Sequence, residues 1–578
     1  MAKITLKINN IKIETDSGKT IAQVAKENGI YIPLLCSHPD LKIKPNCRVC
    51  SVEIRNQKRL TPACSTIATD GMEILTASPR VKKARKTNLE LIFAQHKEEC
   101  SDCVWLSNCQ LLKLAEENKA TINRFNDRKT DYPIYSFNGV IEFDSSKCID
   151  CRNCVEVCKN QGVGYLEVYK RGHEMKILPT EKKHIDCIYC GQCINHCPAG
   201  AFEAIGEFET IERPLQEKDK IVVAQFAPSI RTSIGEEFDI EYGKVVTGKI
   251  VSALKKLGFD YVFDTSVGAD FTTTEESKEV IERIESGKKL PILTSCCPSW
   301  VRYIEYYYPE FIPNLTTVRS PQEILGGLIK TYWAKEQKIN SKKIRVVSIM
   351  PCTAKKFEIS RSELSVKGMP SVDCVLTTRE LARLLKKHKI NFDKLKPQNI
   401  DNIFGEPSGA GVIYGASGGV MESAFRTTYE KLTKTKLEKI EFESIRGLKE
   451  TKEAELAIGD QSSRIAVING LGNAKNFIEK LKSNPDKKYT CVEVMACRGG
   501  CIGGGGQPLP VSDEIRLARA NGLYEIDDKT EIRRAHENPI VKKIYSEFLD
   551  KNKHLAHSIL HTNYHGQKRG KVTKISNY

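Results

Sequence analysis

The sequence predicts an α+β chain of several domains: a small β-rich unit in front, a cysteine-rich middle, and a large α/β unit with mainly parallel sheets behind. Three observations carry this. At 578 residues the chain is too long for one ordinary domain. The first residues alternate apolar and polar at the period of a strand. From Ile221 onward, short apolar runs alternate with helical segments, the texture of strand, helix, strand units.

Ile4, Leu6 and Ile8, then Ile11 and Ile13, flank an Asn9-Asn10 turn and predict a hairpin that opens a β-grasp domain over 1–78. From Pro79 the pattern turns helical, with Leu89, Ile92 and Phe93 ahead of a Cys/His group and Leu111, Leu112 and Leu114 after it. A polar linker, Glu116 to Tyr135, completes a second unit over 79–135. Residues 136–210 hold two copies of one cysteine pattern around a β-like stretch, Gly164 to Leu178. The runs IVVAQFAP, DYVFDTSVG, LPILTSCC, IRVVSIMPC and YTCVEVMAC mark buried strands of the large domain, 211–550. A basic tail, 551–578, follows.

No apolar run approaches the ~18 residues that span a bilayer, and the start MAKITLKINN lacks the apolar core of a secretory signal, so the chain is expected in the cytoplasm. In that reducing compartment 22 cysteines point to metal ligation or redox chemistry, with structural disulfides as the alternative. The net charge is +16, of which the tail after Asp550 supplies six, leaving +10 on the rest. Without a nucleic-acid motif or interleaved aromatic residues, this balance fits an acidic protein partner rather than nucleic acid.

Cys148, Cys151, Cys154 and Cys158 form C-x2-C-x2-C-x3-C, and Cys187, Cys190, Cys193 and Cys197 repeat it. In two-cluster ferredoxins the fourth thiolate of each run serves the other cluster, so Cys197 joins the first three and Cys158 the second three. Zinc has no use for that crossing. Cys36, Cys47, Cys50 and Cys64 read C-x10-C-x2-C-x13-C, which departs from the plant ferredoxin loop but fits a [2Fe-2S] cluster, with a zinc knuckle as the alternative. His96, Cys100, Cys103 and Cys109 suit a [4Fe-4S] cluster or a Cys3His zinc site. Finally, Cys297, Cys352 and Cys497 each follow a predicted strand. Ligands collect beyond the carboxyl ends of such strands, so these three distant thiols are expected at one site.

The segments TSCCPSW (Thr294 to Trp300), MPCTAKKFE (Met350 to Glu358) and EVMACRGGCIGGGGQP (Glu493 to Pro508), together with the cluster motifs in front, resemble the iron-only hydrogenase family, the long single-chain type. The resemblance runs from Lys3 to about His561. It implies an H-cluster, a [4Fe-4S] cubane joined to a diiron unit with CO, cyanide and azadithiolate ligands, beside one [2Fe-2S] and three accessory [4Fe-4S] clusters. By resemblance Cys297, Cys352, Cys497 and Cys501 hold the cubane, with Cys501 as the bridge, and Cys296 is a free thiol that exchanges protons. The onward route runs through Glu276 and Glu279 with Arg283 nearby, which share one face of a helix. Thr316 stands where the family usually has serine between the two carboxylates; its branched side chain has fewer rotamers, so a slower relay is expected. Lys355 donates to a cyanide ligand and Glu358 pairs with it. Pro228, Ser229, Gln322, Met350, Gly415 and Met495 match the pocket walls. Cys374 and Cys491 match no ligand position, and the close-packed run Gly503 to Gly506 is expected to let backbone approach the cluster. His554, His557 and His561 share a helical face and read as packing residues.

The activity so implied is ferredoxin hydrogenase, the reversible conversion of protons and electrons to dihydrogen, with an acidic ferredoxin as partner and the hydrogenase maturation enzymes as builders of the site. Two alternatives stand beside it: an electron-transfer or hydrogenase-like iron-sulfur assembly protein, and the catalytic subunit of an NAD(P)-linked complex. No G-x-G-x-x-G follows a strand, so nicotinamide chemistry is not expected in this chain.

Overall fold

The hairpin forms as its alternation predicts. In this computed structural model, Lys3–Ile8 and Ile11–Asp16 pair antiparallel with Ile8 opposite Ile11. Asn9 and Asn10 take positive φ of 49° and 69°, the backbone that a tight hairpin turn needs and that asparagine tolerates. Glu73–Leu75, Ser51–Ile54 and Thr61–Pro62 extend the pair to a mixed five-stranded sheet. The helix Ile21–Glu27 buries Ile21, Val24 and Ala25, and Thr20 with Gln23 closes its start as a reciprocal cap. Residues 2–575 are described, apart from 99, 101, 102, 104, 106–108, 127–131, 207, 459, 460 and 485–487.

The helix Pro79–Phe93 is bolted to the front domain by buried Arg85, which donates to the carbonyls of Val49 (3.0 Å), Ser51 (3.3 Å) and Thr76 (3.1 Å). Of the predicted linker 116–135, residues 127–131 lie outside the described residues; the helix Gln110–Glu117 and the strand Ile134–Phe137 stand on either side. The β-like stretch between the two cysteine runs is a hairpin, Leu166–Tyr169 with Lys176–Pro179.

Of the segment 551–578, read from sequence as a tail, the described part, 551–575, is built into the fold. Its helix Lys553–Leu560 buries Ile559 and Leu560, and Val572–Ile575 pairs antiparallel with Ile134–Phe137 at the edge of a four-stranded sheet. Lys574 on this short edge strand discourages further pairing, and with Lys571 before it hid the strand in a basic context.

In the large domain the five apolar runs become strands of two sheets. Tyr261–Asp264, Ile221–Phe226, Ile344–Met350 and Cys374–Thr377 lie in that order, all parallel. The second sheet orders Ile292–Leu293, Cys491–Met495, Gln461–Asn469 and Thr451–Ile458, with an antiparallel last pair. Cys374 and Cys491 are buried at strand starts, as their lack of a ligand motif implies. The helix Thr265–Ser286 leaves directly from the strand Tyr261–Asp264, with Asp264 accepting from Ser266 N–H at 2.9 Å. Gly268 lets it approach a neighbouring turn, since a Cβ there would stand 2.3 Å from the Pro321 carbonyl oxygen.

Arg426, fully buried, joins Glu422 to Asp527 and donates to the carbonyls of Ile440 and Arg533. Removing one partner of such a network strands the opposite charges, so Arg426→Met should destabilise the large domain by about 3–5 kcal/mol. Chemical denaturation of parent and variant checks this; equal midpoints would contradict it.

Candidate active site

Beyond the carboxyl ends of the parallel strands of both sheets lies one cavity of about 80 Å³. Its wall is drawn from chain that follows the strands Ile221–Phe226, Tyr261–Asp264, Ile292–Leu293, Ile344–Met350 and Cys491–Met495. Cys297 enters as the residue before the helix Pro298–Tyr307, Cys352 two residues past a strand end, Cys497 likewise, and Cys501 at the start of a short 3-10 turn. All four line the cavity, as do Cys296, Lys355, Pro228, Ser229, Gln322, Met350, Gly415 and Met495. Burial pushes the thiols of Cys352 and Cys501 up to about 12, and neighbouring thiols add to the shift. A set of four such thiols is deprotonated by binding a cation, which suits an iron-sulfur group. Ser229 Oγ and Gln322 Oε1 are buried without a hydrogen-bond partner among the described residues, so the cavity wall also holds polar atoms that a bound group would satisfy.

Gly504 lines the cavity, and the glycine run makes a second contact besides. A Cβ on Gly504 would meet the Pro351 carbonyl oxygen at 2.2 Å, and one on Gly505 would meet the Cys190 carbonyl oxygen at 2.5 Å. The missing side chains let three cysteine-bearing loops stack backbone on backbone. Gln192 Nε2 then donates to Cys497 Sγ (3.2 Å) and the Gly503 carbonyl (3.0 Å), while Thr353 Oγ1 donates to the Tyr189 carbonyl (2.6 Å). The second cysteine run is thereby fastened against the cavity.

Lys355 Nζ donates to Glu358 Oε2 at 2.8 Å and to the Cys296 carbonyl at 3.2 Å. Burial opposes its charge, but Glu358 and the nearby thiols outweigh burial and raise its pKa, so the cation persists. Glu358 Oε2 also accepts from Gln322 Nε2 (2.6 Å) and Ser320 Oγ (3.0 Å).

Behind Cys296 lies a buried polar chain. Burial raises the Cys296 thiol well above its usual value, with Glu276 and neighbouring thiols adding, so it stays protonated. Burial likewise lifts Glu276 to about 8, assisted by Glu279 and Glu493 against the opposing bond from Thr316. Thr316 Oγ1 donates to Glu276 Oε1 at 3.1 Å and lies 2.7 Å from Ser295 Oγ. It does not bridge the two carboxylates: Glu279 Oε2 accepts instead from the N–H (3.0 Å) and hydroxyl (3.2 Å) of Thr317, and Arg283 holds Oε1. Consecutive residues in extended chain point to opposite sides, so Thr316 serves one carboxylate and Thr317 the other.

Cys151 and Cys154 feel the charges of Cys148 and Cys197, and Cys187 and Cys193 those of Cys158 and Cys190; Cys151 also feels Cys36, Cys154 also feels Cys193, and Cys193 also feels Cys197, so the two sets stand close together. Cys36 faces Cys47, with the Cys47 N–H 3.4 Å from Cys36 Sγ, and Cys50 faces Cys64. His96 Nδ1 lies 2.8 Å from the Lys147 carbonyl, the orientation that leaves Nε2 for a metal. Cys100 is exposed, and Cys103 and Cys109 are half-buried.

Parallel sheets with a thiol-lined cavity at their carboxyl ends, fed by a ferredoxin-like cysteine repeat, define an iron-sulfur oxidoreductase. Residues 220–505 match the family described as iron only hydrogenase large subunit, C-terminal domain, and 513–567 match iron hydrogenase small subunit. In front, 1–79 match a 2Fe-2S iron-sulfur cluster binding domain, 85–124 an NADH-ubiquinone oxidoreductase-G iron-sulfur binding region, and 147–201 a 4Fe-4S dicluster domain. The chain is 39% identical over 98% of its length to the whole NADP-reducing hydrogenase subunit HndD of Solidesulfovibrio fructosivorans. It is also 39% identical over 97% of its length to iron hydrogenase 1 of Clostridium pasteurianum, 99% of which is covered. A solved [FeFe]-hydrogenase HydA1 from Chlamydomonas reinhardtii superposes with a TM-score of 0.56 at 35% identity, over 62% of this chain and 98% of that one. The chain belongs to the iron-only hydrogenase family. Among the described residues, no helix is long and apolar enough to cross a membrane.

Sequence reasoning missed Ser295, although it lies inside the TSCCPSW segment, and Thr317, Glu275 and Glu323, which lie outside the quoted segments; burial also lifts Glu323 to about 8, with Glu358 adding. Because the folded pKa of Glu276 exceeds its ordinary 4.5, its proton favours the folded state at low pH, and that contribution is lost as pH rises through about 8. In the infrared difference between parent and Glu276→Gln, in which the Glu323 band cancels, a protonated carboxyl band should fade with a midpoint about 8. A midpoint near 4.5 would contradict the assignment.

Proposed function

We propose that this chain catalyses the reversible conversion of protons and electrons to dihydrogen at an H-cluster, exchanging electrons with an acidic carrier of the ferredoxin kind. The observation that carries the reading is the meeting of Cys297, Cys352, Cys497 and Cys501 in one buried cavity beside the Cys296 thiol and the Lys355 ammonium. Those four thiolates would hold the cubane, with Cys501 as the bridge to the diiron unit. Bound there, the cofactor supplies the making and breaking of the hydrogen–hydrogen bond, chemistry that side chains cannot perform.

The chain's own residues then bind, shield and move protons. Lys355, kept charged by Glu358, would donate to the anionic cyanide edge of the group, and Met350 and Met495 with Pro228 and Gly415 exclude water. Ser229 and Gln322 offer their unpaired polar atoms to its remaining ligands. The Cys296 thiol would pass a proton to and from Glu276, whose raised pKa suits it to hold one near neutral pH; Thr316, which donates to Glu276 alone in this structure, would have to turn its hydroxyl to carry a proton on to Glu279.

Electrons would enter or leave through the crossed sets Cys187, Cys190, Cys193, Cys158 and Cys148, Cys151, Cys154, Cys197. The front sets are Cys36, Cys47, Cys50, Cys64 for a [2Fe-2S] cluster and His96, Cys100, Cys103, Cys109 for a third accessory [4Fe-4S] cluster. A second reading, the hydrogen-converting subunit of an NAD(P)-linked complex, is favoured by the full-length similarity to an NADP-reducing hydrogenase subunit.

Infrared spectroscopy and gas analysis of the protein matured with its assembly enzymes test the activity. Sharp CO and cyanide bands with hydrogen evolution from reduced carrier are expected; a spectrum without those bands and no hydrogen would refute it. Reduction of added ferredoxin, but not of NADP, by the isolated chain separates the first partner from the second. The β-branched Thr316 hydroxyl is restricted in χ1, so Thr316→Ser should raise turnover, by a factor of about 2 to 5. Turnover below the parent in a gas-evolution assay would contradict that.

A further inference from the structure

Glu279, at the outer end of the buried chain, meets different groups at its two oxygens. Oε1 is held by Arg283, a guanidinium that stays charged and neither accepts nor passes a proton. Oε2 accepts from Thr317, and the Thr317 hydroxyl lies 3.0 Å from His561 Nδ1. The other ring nitrogen, Nε2, lies 3.3 Å from Glu275 Oε2. One imidazole thus links two carboxylates on the side of Glu279 that Arg283 leaves open.

The ring is held by backbone, not by chance rotamers. His561 pairs with Val318 in an antiparallel bridge, Arg319 N–H donates to the Leu560 carbonyl at 2.8 Å, and Thr562 N–H donates to the Thr317 carbonyl at 2.8 Å. The segment that carries Thr316 and Thr317 therefore also positions His561. Its side chain keeps 20% of its surface exposed, against 12% for Glu279 and 8% for Glu275, so the imidazole is the most open to water of the three.

We propose that His561 relays protons between solvent and Glu279 through the Thr317 hydroxyl, which makes the C-terminal segment part of the proton path. The inference rests on the hydrogenase reading above, which puts Glu276 and Glu279 on that path. Inward, a solvent proton added at Nε2 makes the imidazolium, which gives its Nδ1 proton to Thr317 Oγ1 as the Thr317 hydroxyl proton passes to Glu279 Oε2; loss of the Nε2 proton and uptake of one at Nδ1, by ring flip or tautomer exchange, resets the ring. Outward, the same steps reverse; only protons move. Histidine is suited to this because its charge changes near neutral pH.

The surrounding charges frame the ring from every side. Glu275 faces Nε2; burial opposes its ionisation, but bonds from His561, Lys278 and Tyr545 and the Lys278 charge hold it at about 2, so it is an anion. On the other sides stand Arg319, which donates to the His561 carbonyl at 2.9 Å, and His557, stacked one turn earlier with ring centroids 5.0 Å apart.

The test uses the matured full-length enzyme with His561→Gln and His561→Ala. Iron content and active-site infrared bands should equal the parent's, while hydrogen turnover falls on the order of tenfold and the solvent deuterium isotope effect rises. Added imidazole should restore His561→Ala, and the carboxyl infrared band should respond more slowly to a step in hydrogen pressure in both variants. Parent-like turnover in both, or a loss that imidazole leaves unrestored, overturns the proposal. A parent without hydrogen turnover overturns the underlying reading and this inference with it, whereas an active parent with unaffected variants overturns the inference alone.

Discussion

Four thiols brought from three distant loops into one desolvated cavity are the constraint to which the rest of the structure answers. Buried thiols repel deprotonation, so the site gains its full stability only with a cationic group among them. Two parallel sheets are needed because no single sheet edge delivers Cys297, Cys352 and Cys497 together: Cys352 follows one sheet, and Cys297 and Cys497 follow the other. The glycine run after Cys501 then removes the side chains that would hold these loops apart and sets the cysteine run around Cys190 against them. Close approach between metal groups is thus a consequence of backbone packing.

Burial has opposite consequences for the groups around the cavity. It leaves Glu276 protonated near neutral pH, which suits proton handling, and would discharge Lys355 were Glu358 not 2.8 Å away. The same logic fastens the front domain. Asp40 accepts from Arg516 at 3.1 Å and faces His196 at 3.3 Å, so the loop after Cys36, the residue before Cys197 and the large domain share one charged contact. Such joints add to the continuous apolar core that packs the cysteine-bearing front segments against the large domain.

Much of this was legible in the sequence, for identifiable reasons. Period-two alternation fixed the opening hairpin, and five apolar runs located the central strands, because fully buried parallel strands carry a local signature. The cavity residues were found through motifs: each of Pro228, Ser229, Gln322, Met350, Gly415 and Met495 lies on the wall. What stayed hidden depends on contacts between distant segments. The division of the strands into two sheets, the strand Val572–Ile575 at the end of a lysine-rich stretch, and the switch from Thr316 to Thr317 at Glu279 are all tertiary facts. His561 read as a packing residue because helical spacing shows which residues share a face, but not that Thr317 and Glu275 stand opposite.

The central claim is that the four converging thiols, and not the front half alone, hold a metal group. An anomalous-scattering map at the iron edge from crystals of the matured protein tests it most directly. Iron peaks within bonding distance of Cys297, Cys352, Cys497 and Cys501 are predicted; iron confined to the first 210 residues would contradict the account.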